Sequence, residues 1–193
     1  MTNSETGLSE QILETAKNLF IQKGYHGLSM REISDALGVS KASLYYYFKD
    51  KEELFLAILT IYLDDMNTAL NRIIAEPIIC SEKIRQFINY VLTQPAEQRA
   101  TIRLASQEIN HLSPESRKVF DTIYREKFID KVKSILQAGM ESAEFRGIDA
   151  NVAVWALLGI MFPYFYPAHA AGLSVDRAII DEVVNIYLIG ISK

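Results

Sequence analysis

Lys41, Ser43, Tyr45, Tyr46 and Tyr47 stand within one short stretch and offer an ammonium, a hydroxyl and three phenols, groups that hydrogen-bond to base edges and to phosphate. A lysine, or Arg31 ten positions earlier, donates to guanine O6 and N7, and a serine serves either kind of base; a tyrosine has no single preferred base. On a helix, three consecutive tyrosines point about 100° apart, so at most two are buried and the rest face water. Leu44 and Phe48, four apart, supply the apolar side that would hold such a helix down. The chemistry that fits this set is the reading of double-stranded DNA.

The flanking residues supply the positioning. Ser29 with Glu32 has the spacing of a capping box, in which each side chain satisfies an orphan backbone N–H, so a helix starts there. Ile33 and Leu37 share one face of it, and Gly38 can take the left-handed conformation a sharp turn needs. Ser40 then caps the helix that carries the reading head. Asp50 with Glu53 opens a further helix and puts Lys51 at its positive end, where phosphate is favoured. Upstream, Ile12, Ala16, Leu19 and Phe20 mark an earlier helix running from Ser9 to Gly24.

The segment from Ile12 to Leu59 resembles the N-terminal DNA-binding domain of the tetracycline-repressor (TetR) family of bacterial transcription regulators. The resemblance is carried by Ala16, Leu19 and Phe20 in the pattern A-x-x-L-F, by Gly24-Tyr25, by the Ser29-to-Glu32 cap and by the turn Leu37-Gly38-Val39-Ser40. It continues through Leu44-Tyr45-Tyr46-Tyr47-Phe48-Lys49 into Lys51-Glu52-Glu53-Leu54. By that resemblance Tyr45, Tyr47 and Lys51 contact backbone phosphate, while Arg31, Lys41, Ser43 and Tyr46 reach base edges; Ser29 and Ser40 complete the DNA-binding set. The family also implies a homodimer on a pseudo-palindromic operator, a repressor released by a small molecule held in the C-terminal domain.

Apolar residues recur at spacings of three and four and no stretch alternates, so the chain reads as all-α. The expected architecture is a three-helix helix-turn-helix domain over residues 1–52 and a helical ligand-binding and dimerisation domain over residues 53–193, about nine helices in all. The later helices are predicted from Lys51 to about Ala75, Ser81 to Leu92, about Ala96 to Asn110, Pro114 to near Gly139 or Phe145, Asp149 to about Ala171, and Ser174 to Ile191. Only Met1 to Gly7 reads as a tail. The start has no basic and apolar signal-peptide pattern, no apolar run is long enough for a membrane, and the single Cys80 cannot form an internal disulfide. A cytoplasmic protein with no membrane contact is expected. With a formal charge of −4 it is not a basic protein, and Met1 to Glu52 carries six Lys and Arg against seven Asp and Glu. DNA affinity must therefore come from local placement, as in Gly38 to Lys51, where Lys41, Lys49 and Lys51 face only Asp50.

The most apolar stretch runs from Trp155 to Pro167, and a helix apolar nearly all round must be buried on more than one side. This points to a partner chain, with Ala153, Ala156 and Gly159 of one helix meeting Val183, Ile186, Tyr187 and Gly190 of the last. Bulky, adaptable side chains at Tyr90, Phe120, Tyr124, Phe128, Met161, Phe162 and Tyr166, with Gln107, Glu108 and His111 as polar anchors, suggest a small hydrophobic or aromatic effector. Glu108 and His111 also form one E-x-x-H step, which keeps open a helical metal-dependent enzyme or carrier; such bundles need two copies plus two further carboxylates on other helices, and only one copy exists. No catalytic residue, metal or cofactor is expected. His26 lies in a loop with no Cys or His near it in sequence, and His169 follows Pro167.

Overall fold

The structure, a computed structural model, describes residues 3–166 and 175–193. The sequence-based assignments made at Pro167, His169, Ala171, Gly172 and Ser174 lie outside those residues. The helices are α1 (Asn3–Lys23), α2 (Met30–Leu37), α3 (Lys41–Tyr47), α4 (Lys51–Ala75), α5 (Cys80–Leu92), α6 (Ala96–Glu108), α7 (Pro114–Tyr124), α8 (Asp130–Glu141), α9 (Ala150–Met161) and α10 (Arg177–Ile191). A π turn, Arg125–Ile129, joins α7 to α8 without a break, so the described residues form nine helical rods. No strand occurs among them, only an isolated bridge between Phe145 and Ser192. None of these helices is long and apolar enough to cross a membrane.

Some boundaries differ from the sequence expectation. The first helix starts at Asn3 instead of Ser9. The apolar helix opening at Asp149 ends at Met161, followed by a 3₁₀ turn (Phe162–Phe165), because Pro163 has no N–H to give the preceding turn and its ring crowds it. Ser81 does not cap α5. That service comes from Glu144, whose carboxylate accepts the backbone N–H groups of Cys80 and Ser81, each at 3.0 Å.

The chain divides into two compact units, Met1–Tyr62 with Ala100–Thr122, and Leu63–Arg99 with Ile123–Lys193. A boundary at residues 52 and 53 thus falls inside the first unit, and α4, α6 and α7 each run from one unit into the other. In the first unit Phe20, Tyr25 and Phe55 meet ring to ring, with centroids 5.0 to 6.0 Å apart, over Ile12, Ala16, Ile33 and Leu44. Each fully buried side chain of this size contributes roughly 1.5–3 kcal/mol, so this cluster holds the short helices α2 and α3 in place. In the second unit α5 packs on α8 and α10, and α9 on both. Gly139 of α8 allows the closest approach there, since a Cβ on it would lie 2.3 Å from the ring of Phe145.

Candidate nucleic-acid interface

The α2–turn–α3 segment is built as its residue types require. Glu32 N–H donates to Ser29 Oγ at 3.2 Å and Ser29 N–H to Glu32 Oε2 at 2.9 Å, closing the capping box. Gly38 takes φ 68° and ends α2, its N–H reaching back to the carbonyls of Ser34 and Asp35. Ser40 Oγ accepts from Ser43 N–H at 3.1 Å and starts α3. Leu44 and Phe48 are buried, whereas Lys41 and Tyr45 are exposed and Tyr46 is 75% exposed, its ring edge-on to Tyr47 at 5.2 Å. The helix therefore turns a cation and two phenols outward with no cost to its core. Arg31, in the first turn of α2, is exposed and lies 3.6 Å from Asp35.

Glu32 also accepts from Lys23 Nζ at 2.8 Å, and this bond, followed by those from Ser29, lowers its carboxyl from the usual 4.5 to about 2. A depressed folded value contributes stability that is present above pH 4.5 and lost as the pH falls through about 2. Urea unfolding of the wild type should weaken across that window, and Glu32→Gln should flatten the dependence. An identical pH slope in the variant would remove Glu32 as the cause.

Lys51 is used differently from the expectation of an open phosphate donor. Its ammonium donates to the carbonyls of Tyr25 at 2.7 Å and Leu28 at 2.8 Å and lies 4.3 Å from the Tyr25 ring centroid. Two of its three N–H donors thus tie down the loop between α1 and α2. Burial lowers its pKa, opposed by Glu108 and Glu32, and burial followed by Glu52 and Asp50 pushes the Tyr25 phenol up to about 12.

The residues expected to bind an effector are drawn from both compact units. Gln107, Glu108, His111 and Phe120 belong to the first unit, where His111 meets His26 at 4.3 Å between ring centroids and Glu108 Oε2 lies 3.7 Å from His111 Nε2. Tyr90, Tyr124, Phe128, Met161, Phe162 and Tyr166 belong to the second. There Phe128 touches Tyr124 at 5.3 Å and Phe87 at 5.9 Å, burial pushes the Tyr124 phenol up to about 12, and Phe162, 42% exposed, meets the Tyr166 ring at 5.1 Å. Tyr124 and Phe128 are four apart, and the π turn Arg125–Ile129 lies at this pair, a distortion frequent at functional sites. Among the described residues no three His, Cys, Asp or Glu gather as metal ligands.

The interface set also needs correction. Ala153, Val183 and Tyr187 are buried inside the protomer, where Tyr187 O–H donates to the Ala153 carbonyl at 2.9 Å. Exposed on α9 are Val152, Trp155, Ala156 and Gly159, and on α10 Ile186, Ile189 and Gly190. Val152, Trp155 and Ile189, absent from the expected set, are exposed on the same two helices. The spacing three and four apart was the available signal.

A family model described as bacterial regulatory proteins of the tetR family matches residues 12–58, and one described as the C-terminal domain of tetracyclin-repressor-like proteins matches residues 80–188. The chain belongs to the TetR family. It is a ligand-responsive, DNA-binding transcriptional regulator. Among its relatives, the transcriptional regulator QacR of Staphylococcus aureus is 29% identical over 96% of this chain and 99% of its own. The transcriptional repressor KstR2 of Rhodococcus jostii is 25% identical over 79% of this chain and 75% of its own. A solved structure of AibR in complex with isovaleryl coenzyme A and operator DNA is 26% identical, with a TM-score of 0.76 over 92% of this TetR-family chain and 96% of that one.

Proposed function

We propose that this regulator is a homodimeric cytoplasmic repressor that reads a pseudo-palindromic operator through α3 and is released from it by a small, largely apolar effector. The observation that carries the DNA part is α3 itself: Leu44 and Phe48 anchor it while Lys41, Tyr45 and Tyr46 face outward. Arg31, Ser43 and Tyr47 extend the contact surface, with Ser29 and Ser40 as caps. The dimer reading rests on the row of exposed apolar side chains on α9 and α10, since a contiguous exposed apolar face on a soluble chain marks an interaction surface. For the effector, the aromatic cluster of Phe87, Tyr124 and Phe128 at the π turn supports a hydrophobic group, and the AibR complex makes short acyl-coenzyme A thioesters the first molecules to try.

Selection of DNA from a random pool, followed by fluorescence anisotropy, tests the first part. The selected site should be bound at least about 10³-fold more tightly than scrambled DNA. Equal binding to both would overturn the assignment. Acyl-coenzyme A thioesters, fatty acids and planar aromatics are then screened by thermal shift and for operator release. An inducer must stabilise the protein and bind the DNA-incompetent state more tightly, because equal affinity for both states shifts nothing. Release by strongly polar, multiply charged metabolites alone would remove the apolar-effector reading and leave DNA binding untouched.

A further inference from the structure

The loop between α1 and α2 carries the carbonyls of Tyr25 and Leu28 outside any helix. Both residues are buried, and a backbone carbonyl in such a place needs a donor. Lys51 supplies it from the start of α4, its Nζ donating to Tyr25 at 2.7 Å and to Leu28 at 2.8 Å while standing 4.3 Å from the Tyr25 ring centroid. The loop is tight elsewhere too, since Gly24 takes φ 71° and a Cβ on Gly27 would lie 2.2 Å from the Lys23 carbonyl oxygen. Leu28 directly precedes Ser29, the N-cap of α2, and Arg31 follows in the first turn of that helix. Where the Lys51 ammonium sits therefore decides where α2 begins.

The family resemblance assigns Lys51 to backbone phosphate, and the geometry argues for another division of labour. An ammonium has three donors, and Lys51 gives two of them to the loop, so drawing it onto a phosphate works against the bonds that hold the start of α2. Lys49, two residues earlier, is exposed just past α3, and only its backbone N–H is engaged with α4, donating to Glu53 Oε2 at 2.8 Å. We propose that Lys51 is a positioning residue that sets the first turn of α2, and Arg31 with it, against the bases, and that the phosphate contact at this edge of the head is made by Lys49. This inference rests on the operator reading proposed above, with Arg31 at a base edge. It separates two properties that a single contact would join: Lys51 governs which sequence is chosen, and Lys49 how strongly any DNA is held. Phosphate contacts carry no sequence information, whereas misplacing a base-reading side chain blunts the choice among bases.

The experiment uses the full-length protein, the selected operator, its single-base variants and scrambled DNA, titrated by anisotropy at several salt concentrations. Lys51→Met keeps an apolar stem against the Tyr25 ring and removes the donors, Lys49→Met removes an exposed charge, and Arg31→Ala marks the base position that Arg31 reads. Lys51→Met should lose about tenfold of the discrimination at that position and keep the wild-type salt slope, whereas Lys49→Met should keep the discrimination and lower the slope by about 0.9 per half-site. A folded Lys51→Met protein whose slope falls by that amount with its discrimination intact, or in which neither changes, overturns the inference; so does a Lys49→Met protein with the wild-type slope. Amine labelling of the wild type reads the same point should Lys51→Met fail to fold. A hydroxysuccinimide ester should modify Lys49 readily and Lys51 far more slowly in the DNA-free protein, and the operator should shield Lys49 while leaving the Lys51 rate as it was. Equal labelling of the two, with Lys51 shielded only by DNA, overturns the inference and leaves operator reading standing. A wild type that binds scrambled DNA as tightly as the selected site overturns operator reading itself.

Discussion

Arginine at Gly159 should give a folded monomer that has lost its hold on the operator. Gly159 lies on the outward side of α9 with Val152, Trp155 and Ala156, and a Cβ built on it meets nothing within 4 Å among the described residues. Nothing among the described residues calls for glycine there, and inside a helix glycine costs about 0.8–1 kcal/mol against alanine. Its use makes sense if another helix approaches closely, as it would across a twofold axis with Gly190 of α10, where a Cβ also meets nothing. Arginine would then place two like charges, unpaired, in an apolar interface while leaving each protomer's packing alone. Sedimentation should show a monomer at micromolar concentration with wild-type helical content. Affinity for the full operator should fall roughly 10²–10⁴-fold, the advantage of tethering two binding heads. Val183→Arg separates the interface from the core. Val183 is 2% exposed and sits in the protomer interior with Val184 and Tyr187, so that variant should fail to fold at all. A Gly159→Arg protein that sediments as the wild-type dimer would move the interface elsewhere.

What was legible in the sequence is what is decided locally. The Ser29 and Glu32 box, Gly38 and the Ser40 cap each act within four residues, and each forms as its residue types require. The apolar character of the last two helices was equally plain, but its division between partner and core was not. Successive residues turn about 100°, so a helix apolar nearly all round gives no phase, and the inward Tyr187 donates to the Ala153 carbonyl 34 positions away. The same holds for Lys51. Its place at a helix start suits phosphate, yet the carbonyls of Tyr25 and Leu28 claim its ammonium across 26 and 23 positions. Glu144 capping α5, and His26 against His111, are likewise contacts between distant residues that no local spacing announces. The π turn shifts the phase of its rod by one residue at Arg125–Ile129, where the pattern itself looks continuous.

Truncating Tyr46 to alanine should leave the melting curve in place and flatten the choice between operators. Tyr46 is the most exposed aromatic of α3 and touches the protein mainly through the edge of Tyr47, so its loss opens no cavity. Lys41, exposed in the first turn of the same helix, is equally free of the core. Each lost base contact should cost roughly 1–3 kcal/mol in discrimination, about 5- to 150-fold against the wrong base, with much smaller changes on scrambled DNA. Where Lys41 meets a phosphate instead, Lys41→Ala should weaken all sequences alike and lower the salt slope by about one. Leu44→Ala provides the contrast. Leu44 is fully buried, and removing it should cost roughly 2–5 kcal/mol of head stability, taking every kind of DNA binding with it. Anisotropy titrations across single-base operator variants distinguish these outcomes. If Tyr46→Ala and Lys41→Ala both kept wild-type affinity, specificity and salt dependence, the outward face of α3 would not be the reading surface, and the contact would have to be sought on Arg31 and the start of α2.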